Sequence, residues 1–466
     1  MSDGEQTEAA AAPRPKGRLT NGSIGGHLTR MAIPMSWGLF AIIGINLVDT
    51  FFVAQLGTRE LAAISFTFPV VFFMISLAIG LGVGASSVIA RAIGSGDRER
   101  VRRLTTAALS LALVIVAGIS LIGIMTIEPL FRALGAEPDL IPRIAEYMGI
   151  WYLGMVFLVV PMVGNSCLRA AGDSFWPSMA MTIVALVNLV LDPILIFGLL
   201  GVPRLELEGA AIATVIARAV GLAISLWLLH HRERMILWAL PPPRQLFADW
   251  AAILHVGLPA ALSNVIVPVG LGAVTAIVAS YGEAAVAAFG VVTRIEAICL
   301  VPIFALSAVI GPVVGQNWGS GLTERACEAR RLVMQFSLAY GLFVSAVLIL
   351  GGRYLVPLFN DDPQVVETGV LYFWIVPLCY AGYAVVMMSA AVFNALGRPW
   401  PASALTVTRA LGLYVPLSFL GSVLFGMVGI FGGIFLANVL TGFAALIAGR
   451  RLMNAPTPAP ATKPSG

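Results

Sequence analysis

The chain is short of charge. Asp, Glu, Lys and Arg make up only 11% of its 466 residues, against 59% hydrophobic residues. Soluble domains carry about 25% charged residues, so a water-exposed globule is excluded and an integral membrane protein remains. Histidine is scarce too. His27, His230, His231 and His255 stand near expected helix ends, with no thiol or carboxylate at ligand spacing, so they make no zinc set and read as interfacial side chains. The four cysteines, Cys167, Cys299, Cys327 and Cys379, fall in or beside apolar stretches and form neither a ligand spacing nor a disulfide framework. No nucleophile lies clustered with a base, which argues against an enzyme. The net charge of +4 is spread over several loops, so nucleic acid is not an expected partner.

What is abundant is apolar sequence in lengths that suit a bilayer, about 20 residues per span. Candidate spans run over 28–56, 61–93, 104–127, 139–168, 176–200, 209–231, 249–281, 285–317, 329–351, 364–395, 401–424 and 428–450. Basic residues sort the loops into two sides. One side collects Arg14, Lys16, Arg18 and Arg30, then Arg91 to Arg103, then Arg232, Arg234 and Arg244, then Arg325 to Arg331, and finally Arg450 and Arg451. The other side holds only Arg59, Arg132, Arg143, Arg204 and Arg353. By the positive-inside rule both termini are expected in the cytoplasm.

The chain also repeats itself. Met31-Ala32-Ile33-Pro34 matches Val256-Gly257-Leu258-Pro259, and Ile93-Gly94-Ser95-Gly96 matches Trp318-Gly319-Ser320-Gly321, both at an offset of 225 residues. Val53–Gly57 with Val278–Gly282 and Leu168–Gly172 with Phe393–Gly397 keep the same offset, which falls to 220 where Gly209 meets Gly429. Each copy holds six spans, an even number, so both enter from one side as a parallel repeat. The fold class expected is all-α integral membrane, with twelve transmembrane helices in two parallel six-helix repeats forming a two-lobed bundle. Its parts are a disordered cytoplasmic tail over 1–26, an N-lobe over 27–231, a cytoplasmic linker over 232–248, a C-lobe over 249–453 and a second disordered tail over 454–466. The first tail has no apolar core for a secretory signal, and the second is rich in proline. Two equivalent bundles around a cleft suggest transport by alternating access.

Two carboxylates interrupt the apolar sequence of the first copy. Asp49 follows Ile42–Val48, and Asp192 follows Val187–Leu191. A carboxylate at mid-membrane costs about 2.5–3.5 kcal/mol, so such a group implies a use. Asn188 and Asp192, at i and i+4, share a helix face, as do Asn46 and Asp49 at i and i+3. Pro193 removes one helical N–H and frees a carbonyl. The small residues Gly209–Ala213 permit close helix approach, and Thr214 adds a hydroxyl. Where the first, fifth and sixth helices meet, these groups make a set of hard oxygen ligands for a sodium ion or a proton. A bracing hydrogen-bond network is the simpler alternative.

Taken in order, these residues resemble the multidrug and toxic compound extrusion (MATE) family over about residues 25–450. The matching pieces are Pro34 and Asp49-Thr50, Asn188-x-x-x-Asp192-Pro193, Gly209–Thr214, Gly80-x-Gly-x-Gly with Ala90-Arg91-x-x-Gly94, Arg294-Ile295-Glu296, and Gly315-Gln316-Asn317-Trp318-Gly319. The resemblance implies export of amphipathic, often cationic drugs and toxins in exchange for H+ or Na+, multidrug and antibiotic resistance, and residence in the inner membrane. It implies a cation site, with possible Na+, at Asp49, Asn188, Asp192 and Thr214, and no organic cofactor. A monomer in contact with membrane lipid is expected. One branch of the family carries an acidic residue in the middle of the seventh helix, where Ser263–Gly270 has none here. Position 274, the repeat mate of Asp49, is Val, and the mate of Asp192 is near Leu417. The chain is thus more similar to the branch that couples in the first lobe.

Pro34, Met35, Asn46, Arg294, Glu296 and Met387 are expected to line a substrate cavity, although Met residues at such spacing are also ordinary core. Glu296 is expected to pair with Arg409, and Arg218 with Asp49 or Asp192. The rival within transport is a lipid-linked oligosaccharide flippase, which calls for extra helices and a strongly basic cavity. A channel has no need of two lobes.

Overall fold

The computed structural model describes residues 17–56, 58–239 and 241–454, without the side chains of Asn46, Thr50, Val53, Ala54, residues 58–64 and residues 452–454. Eleven helices in it are long and apolar enough to cross a bilayer. The last, Pro399–Arg451, is 53 residues long and breaks at Gly426, where φ is 62° and ψ is −139°. Beyond this break the chain folds back, and Gly421 and Gly429 meet backbone to backbone with no room for a Cβ on either. Only glycine fits both the turn and the approach. The two arms are separate antiparallel spans, which gives the twelve expected.

In chain order, span 1 is Ile24–Ala54, span 2 Thr58–Gly94 and span 3 Arg98–Met125. Spans 4, 5 and 6 are Ile141–Ala170, Phe175–Phe197 and Glu206–Trp227. Span 7 is Pro243–Ala279, and span 8 joins Glu283–Cys299 to Val301–Gly319. Span 9 is Thr323–Leu355, span 10 Pro363–Ala395, and spans 11 and 12 are the arms on either side of Gly426. The break in span 8 has a simple cause. Pro302 at the start of the second piece lacks the N–H that would bond back across it.

The internal repeat is visible in atomic detail. Arg91 donates to the carbonyl of Ala395 at 2.8 Å, and its repeat mate Gln316 donates to the carbonyl of Ala170, the mate of Ala395, at 2.7 Å. Gly94 packs against the backbone of Gln316 and Ser320, while its mate Gly319 packs against Arg91. Span 2 therefore lies against spans 7 and 8, and span 1 against span 8, as a pseudo-twofold axis requires. The hydrogen bonds that join the lobes cluster on the side that carries both ends of the described chain. There Arg103 reaches Asp249 at 2.7 Å, and Trp250 reaches the carbonyl of Ala107 at 3.0 Å. The lobes are clamped at this mouth.

Two boundaries differ from the sequence reading. Residues 17–26 were expected in a disordered tail, yet Leu19 and Thr20 are buried and Ile24 opens span 1. Leu19 explains this. Its N–H donates to Gln316 and its carbonyl accepts from Asn317, so its backbone is satisfied in place and its side chain is removed from water. The segment forms a strap across the clamped mouth. Span 7 begins at Pro243, ahead of the expected 249, because Pro242 is extended (φ −51°, ψ 141°) and Pro243 takes the first helical position, where a missing N–H costs nothing. Residues 1–16 and 455–466 lie outside the described residues.

Candidate functional site

Span 5 packs against both span 1 and span 6, and span 1 also touches span 6. The first, fifth and sixth spans therefore meet. Asp192 is fully buried, and its Oδ1 accepts from Asn188 Nδ2 at 2.8 Å, as their i, i+4 spacing predicts. Its Oδ2 is buried with no hydrogen-bond partner among the described residues, and so is Asp49 Oδ1 on span 1. The two carboxylates stand within electrostatic range of each other. Buried acceptors of this kind are costly unless a cation, proton or water meets them.

Thr214 is half-buried on span 6, one turn from Arg218 and on the same face. No hydrogen bond ties its hydroxyl to either aspartate among the described residues. Arg218 forms no ion pair with Asp49 or Asp192 among the described residues; it sits 6.0 Å over the ring of Trp151 while remaining in electrostatic range of Asp49. Tyr147, also on span 4, belongs to the same electrostatic group as both aspartates and Arg218. The sequence reading missed Trp151 and Tyr147. An arginine with no acid at helical spacing, opposite an aromatic-rich span, was the only signal available.

Met35 is a correction. Expected in a cavity wall, it is only 6% exposed and belongs to the core shared with the C-lobe. It continues the buried stripe Ile24, Leu28 and Met31, whose spacing keeps one face of span 1 against span 8. Met387 is half-buried against the same core. Pro34 is half-buried within span 1, and the side chain of Asn46 lies outside the described residues. Glu296 forms no ion pair with Arg409 among the described residues, although the two stand within electrostatic range. Tyr372 donates to its Oε2 at 2.5 Å, and Arg409 instead donates to Asn438 Oδ1 at 3.4 Å and lies 4.8 Å over Tyr383. The cause is local: Thr408–Tyr414 is a wider π turn, which rotates Arg409 off a regular helical face. Arg294 is exposed in span 8 and has no partner among the described residues. Eleven residues into the first piece of that span, about 16 Å at 1.5 Å per residue, it stands near mid-membrane depth. Among the described residues no group of three or more His, Cys, Asp and Glu could hold a metal ion.

The family model described as MatE matches this chain twice, over residues 34–194 and 259–420, the same two copies that the offset of 225 separates. The chain is 39% identical to the FAD transporter of Shewanella oneidensis over 93% of its own length and 96% of that protein. It is 26% identical to the probable multidrug resistance protein NorM of Thermotoga maritima over 84% of each chain. Among solved structures, a mutant of the Vibrio cholerae MATE transporter VcmN superposes with a TM-score of 0.88 at 29% identity, over 93% of this chain and 98% of the other.

Proposed function

The chain belongs to the MatE family of multi-pass membrane transporters, and from that premise we propose that it is a secondary active exporter driven by H+ or Na+. The observation that carries the coupling is the pair of buried carboxylate oxygens, Asp192 Oδ2 and Asp49 Oδ1, that have no hydrogen-bond partner among the described residues. An entering cation or proton neutralises them, and this relieves the cost of burying them unpaired. Asn188 holds Asp192 in place by donating to its other oxygen. Thr214 stands on the neighbouring span as a further oxygen ligand. The ion enters from the face opposite the termini. Its uptake favours the conformation that lets go of substrate on that face, and its departure on the termini-bearing face resets the cycle. The arginine-rich loops on the latter face support a cytoplasmic position for both termini, and the setting is an inner membrane in which the monomer is the working unit.

For the substrate, the leading reading is an anionic, flat aromatic molecule of the flavin dinucleotide class. Arg294 is an exposed guanidinium in mid-span without a partner among the described residues, and intramembrane arginines face a bundle interior or a water-filled cavity. The similarity to a protein named FAD transporter agrees with that chemistry. Amphipathic cations are the second reading, favoured by the relatives named as multidrug resistance proteins. The discriminating experiment uses the full chain in sealed vesicles, with a pH gradient or a sodium gradient imposed alone. Flavin adenine dinucleotide or ethidium uptake is read by fluorescence. Asp192→Asn should abolish gradient-driven accumulation, and Arg294→Gln should abolish flavin dinucleotide transport while sparing ethidium. Full accumulation by Asp192→Asn refutes the coupling site, and equal loss of both substrates in Arg294→Gln refutes the anion contact.

A further inference from the structure

On the termini-bearing face, where the N-lobe hands over to the linker, a cavity of about 500 Å³ is lined by Arg98, Arg102, His230, His231, Arg234 and Ile236. Its lining contains three arginines, two histidines and no carboxylate. Of the acids nearby, Glu99 stands exposed outside the lining, Asp97 accepts from the N–H of Arg100, and two others are held by arginines outside the cavity. Glu233 is buried beside Arg18 at 3.1 Å and Arg232 at 3.9 Å, and Asp173 meets Arg232 at 2.8 Å. None of the three cavity arginines forms an ion pair among the described residues. Arg98 gives one bond to the carbonyl of Glu233 at 3.2 Å, and Arg102 one to that of Ile236 at 3.5 Å. A guanidinium has five N–H donors, so most of theirs remain available.

The local backbone concentrates this charge. Span 6 ends in a π turn, Leu228–Arg232, that brings His230 and His231 to the lining together. Arg234 follows with φ of 52°, a left-handed conformation that is strained for a residue with a Cβ. The Nδ1 of His230 is buried with no hydrogen-bond partner. Exposed indoles frame the site: Trp227 stacks on His231, and Trp238, which is 85% exposed, abuts His230 at 4.9 Å. Tryptophan at the end of a span marks headgroup depth. Basic pockets at that depth select anionic headgroups, and arginine forks match phosphate oxygens.

We propose that this cavity is a binding site for a phosphate group, presented by an anionic lipid headgroup or by a free phosphate. Bound there, the phosphate ties the first two turns of span 3 to the linker that joins the lobes.

The test uses the full chain in detergent, followed by thermal unfolding during titration with short-chain phosphatidylglycerol, phosphatidylcholine or inorganic phosphate. Phosphatidylglycerol is expected to raise the unfolding temperature, with half-saturation shifted about tenfold upward for each arginine replaced by glutamine at 98, 102 and 234. Inorganic phosphate that reproduces the effect and competes with the lipid identifies free phosphate as the source. Phosphate without effect, beside responding phosphatidylglycerol, identifies the headgroup. An equal response to phosphatidylcholine, no response to either anion, or an unshifted titration in the substituted protein overturns the site. Should the triple variant fail to fold, Arg102→Gln alone serves, because that side chain is exposed and held by a single 3.5 Å bond.

Discussion

Replacing Gly94 with alanine should open the clamped mouth. A Cβ built on Gly94 falls 2.9 Å from the carbonyl carbon of Gln316 and 3.0 Å from the backbone nitrogen of Ser320. The carbonyl oxygen of Gln316 is nearer still; non-bonded carbons alone rest about 3.5–4.0 Å apart, so spans 2 and 8 must part by more than roughly 0.6–1.1 Å at this level. Both neighbours are backbone, and neither can turn aside as a side chain would. Overpacking of this kind costs about 1–3 kcal/mol. The cost falls only on the conformation in which the mouth is closed. The intrinsic helix gain of alanine over glycine, about 1 kcal/mol, applies to both conformations and cancels from their ratio. The ratio of closed to open mouth should therefore fall by about 5- to 150-fold. Spin labels at Arg100 and Glu324, exposed at the first turns of spans 3 and 9, report it as a new, longer distance in a pulsed dipolar measurement. Gly319→Ala makes the mirror-image clash, 2.8 Å from the Cα of Arg91, and should give the same result. A distance distribution identical to that of the unaltered protein, from a folded variant, refutes the reasoning.

Other perturbations follow from the same contacts. Gln316→Ala removes donors to Ala170 and an acceptor for Leu19, and should loosen the mouth by about 1–3 kcal/mol, read with the same labels. Arg103→Ala leaves Asp249, which is 6% exposed, without its 2.7 Å partner; a loss of about 1–3 kcal/mol should appear as a lower unfolding temperature, with Arg103→Lys milder. Asn188→Ala takes away the hydrogen bond to Asp192 and should lower ion-driven accumulation while leaving the unfolding temperature within a few degrees. Tyr372→Phe withdraws the hydroxyl from Glu296 and should cost about 1–3 kcal/mol, visible in the same unfolding assay; no change would mean that the carboxyl finds another donor.

The spans and the repeat were legible because bilayer length and a fixed offset are properties of sequence alone. The Asn188–Asp192 bond was legible for a similar reason, since i, i+4 spacing on one helix brings the pair together wherever the helix goes. The rest depended on rotations between helices. Arg218 has Trp151 as its neighbour because span 4 packs on span 6, and no spacing along the chain encodes that meeting. Arg409 misses Glu296 because a π turn intervenes. Met35 has the composition of a cavity wall, but its place on the stripe of Ile24, Leu28 and Met31 puts it in the core. The strap at Leu19 is held by backbone hydrogen bonds, which any residue type can make, so composition pointed toward a tail.

The two lobes share one feature and divide another. At the mouth they are mates: Arg91 and Gln316, Gly94 and Gly319, Ala170 and Ala395 make the same contacts in exchanged roles. In the site they differ, since Asp49 has the buried Val274 as its mate. A symmetric gate cannot by itself know the direction of a gradient, so direction must come from the asymmetric pair. Span 5 is the element placed to carry it. Asp192 lies seventeen residues from Phe175, the first residue of that helix, about 26 Å at 1.5 Å per residue. Just before Phe175, Ala170 receives Gln316 and Gly172 rests on Leu19. A helix of that length transmits tilt from one end to the other when both ends are gripped. If span 5 does so, Asp192→Asn must shift the label distance between positions 100 and 324 that Gly94→Ala shifts. A response of that distance to Gly94→Ala and not to Asp192→Asn would separate site from mouth and leave the coupling to another span.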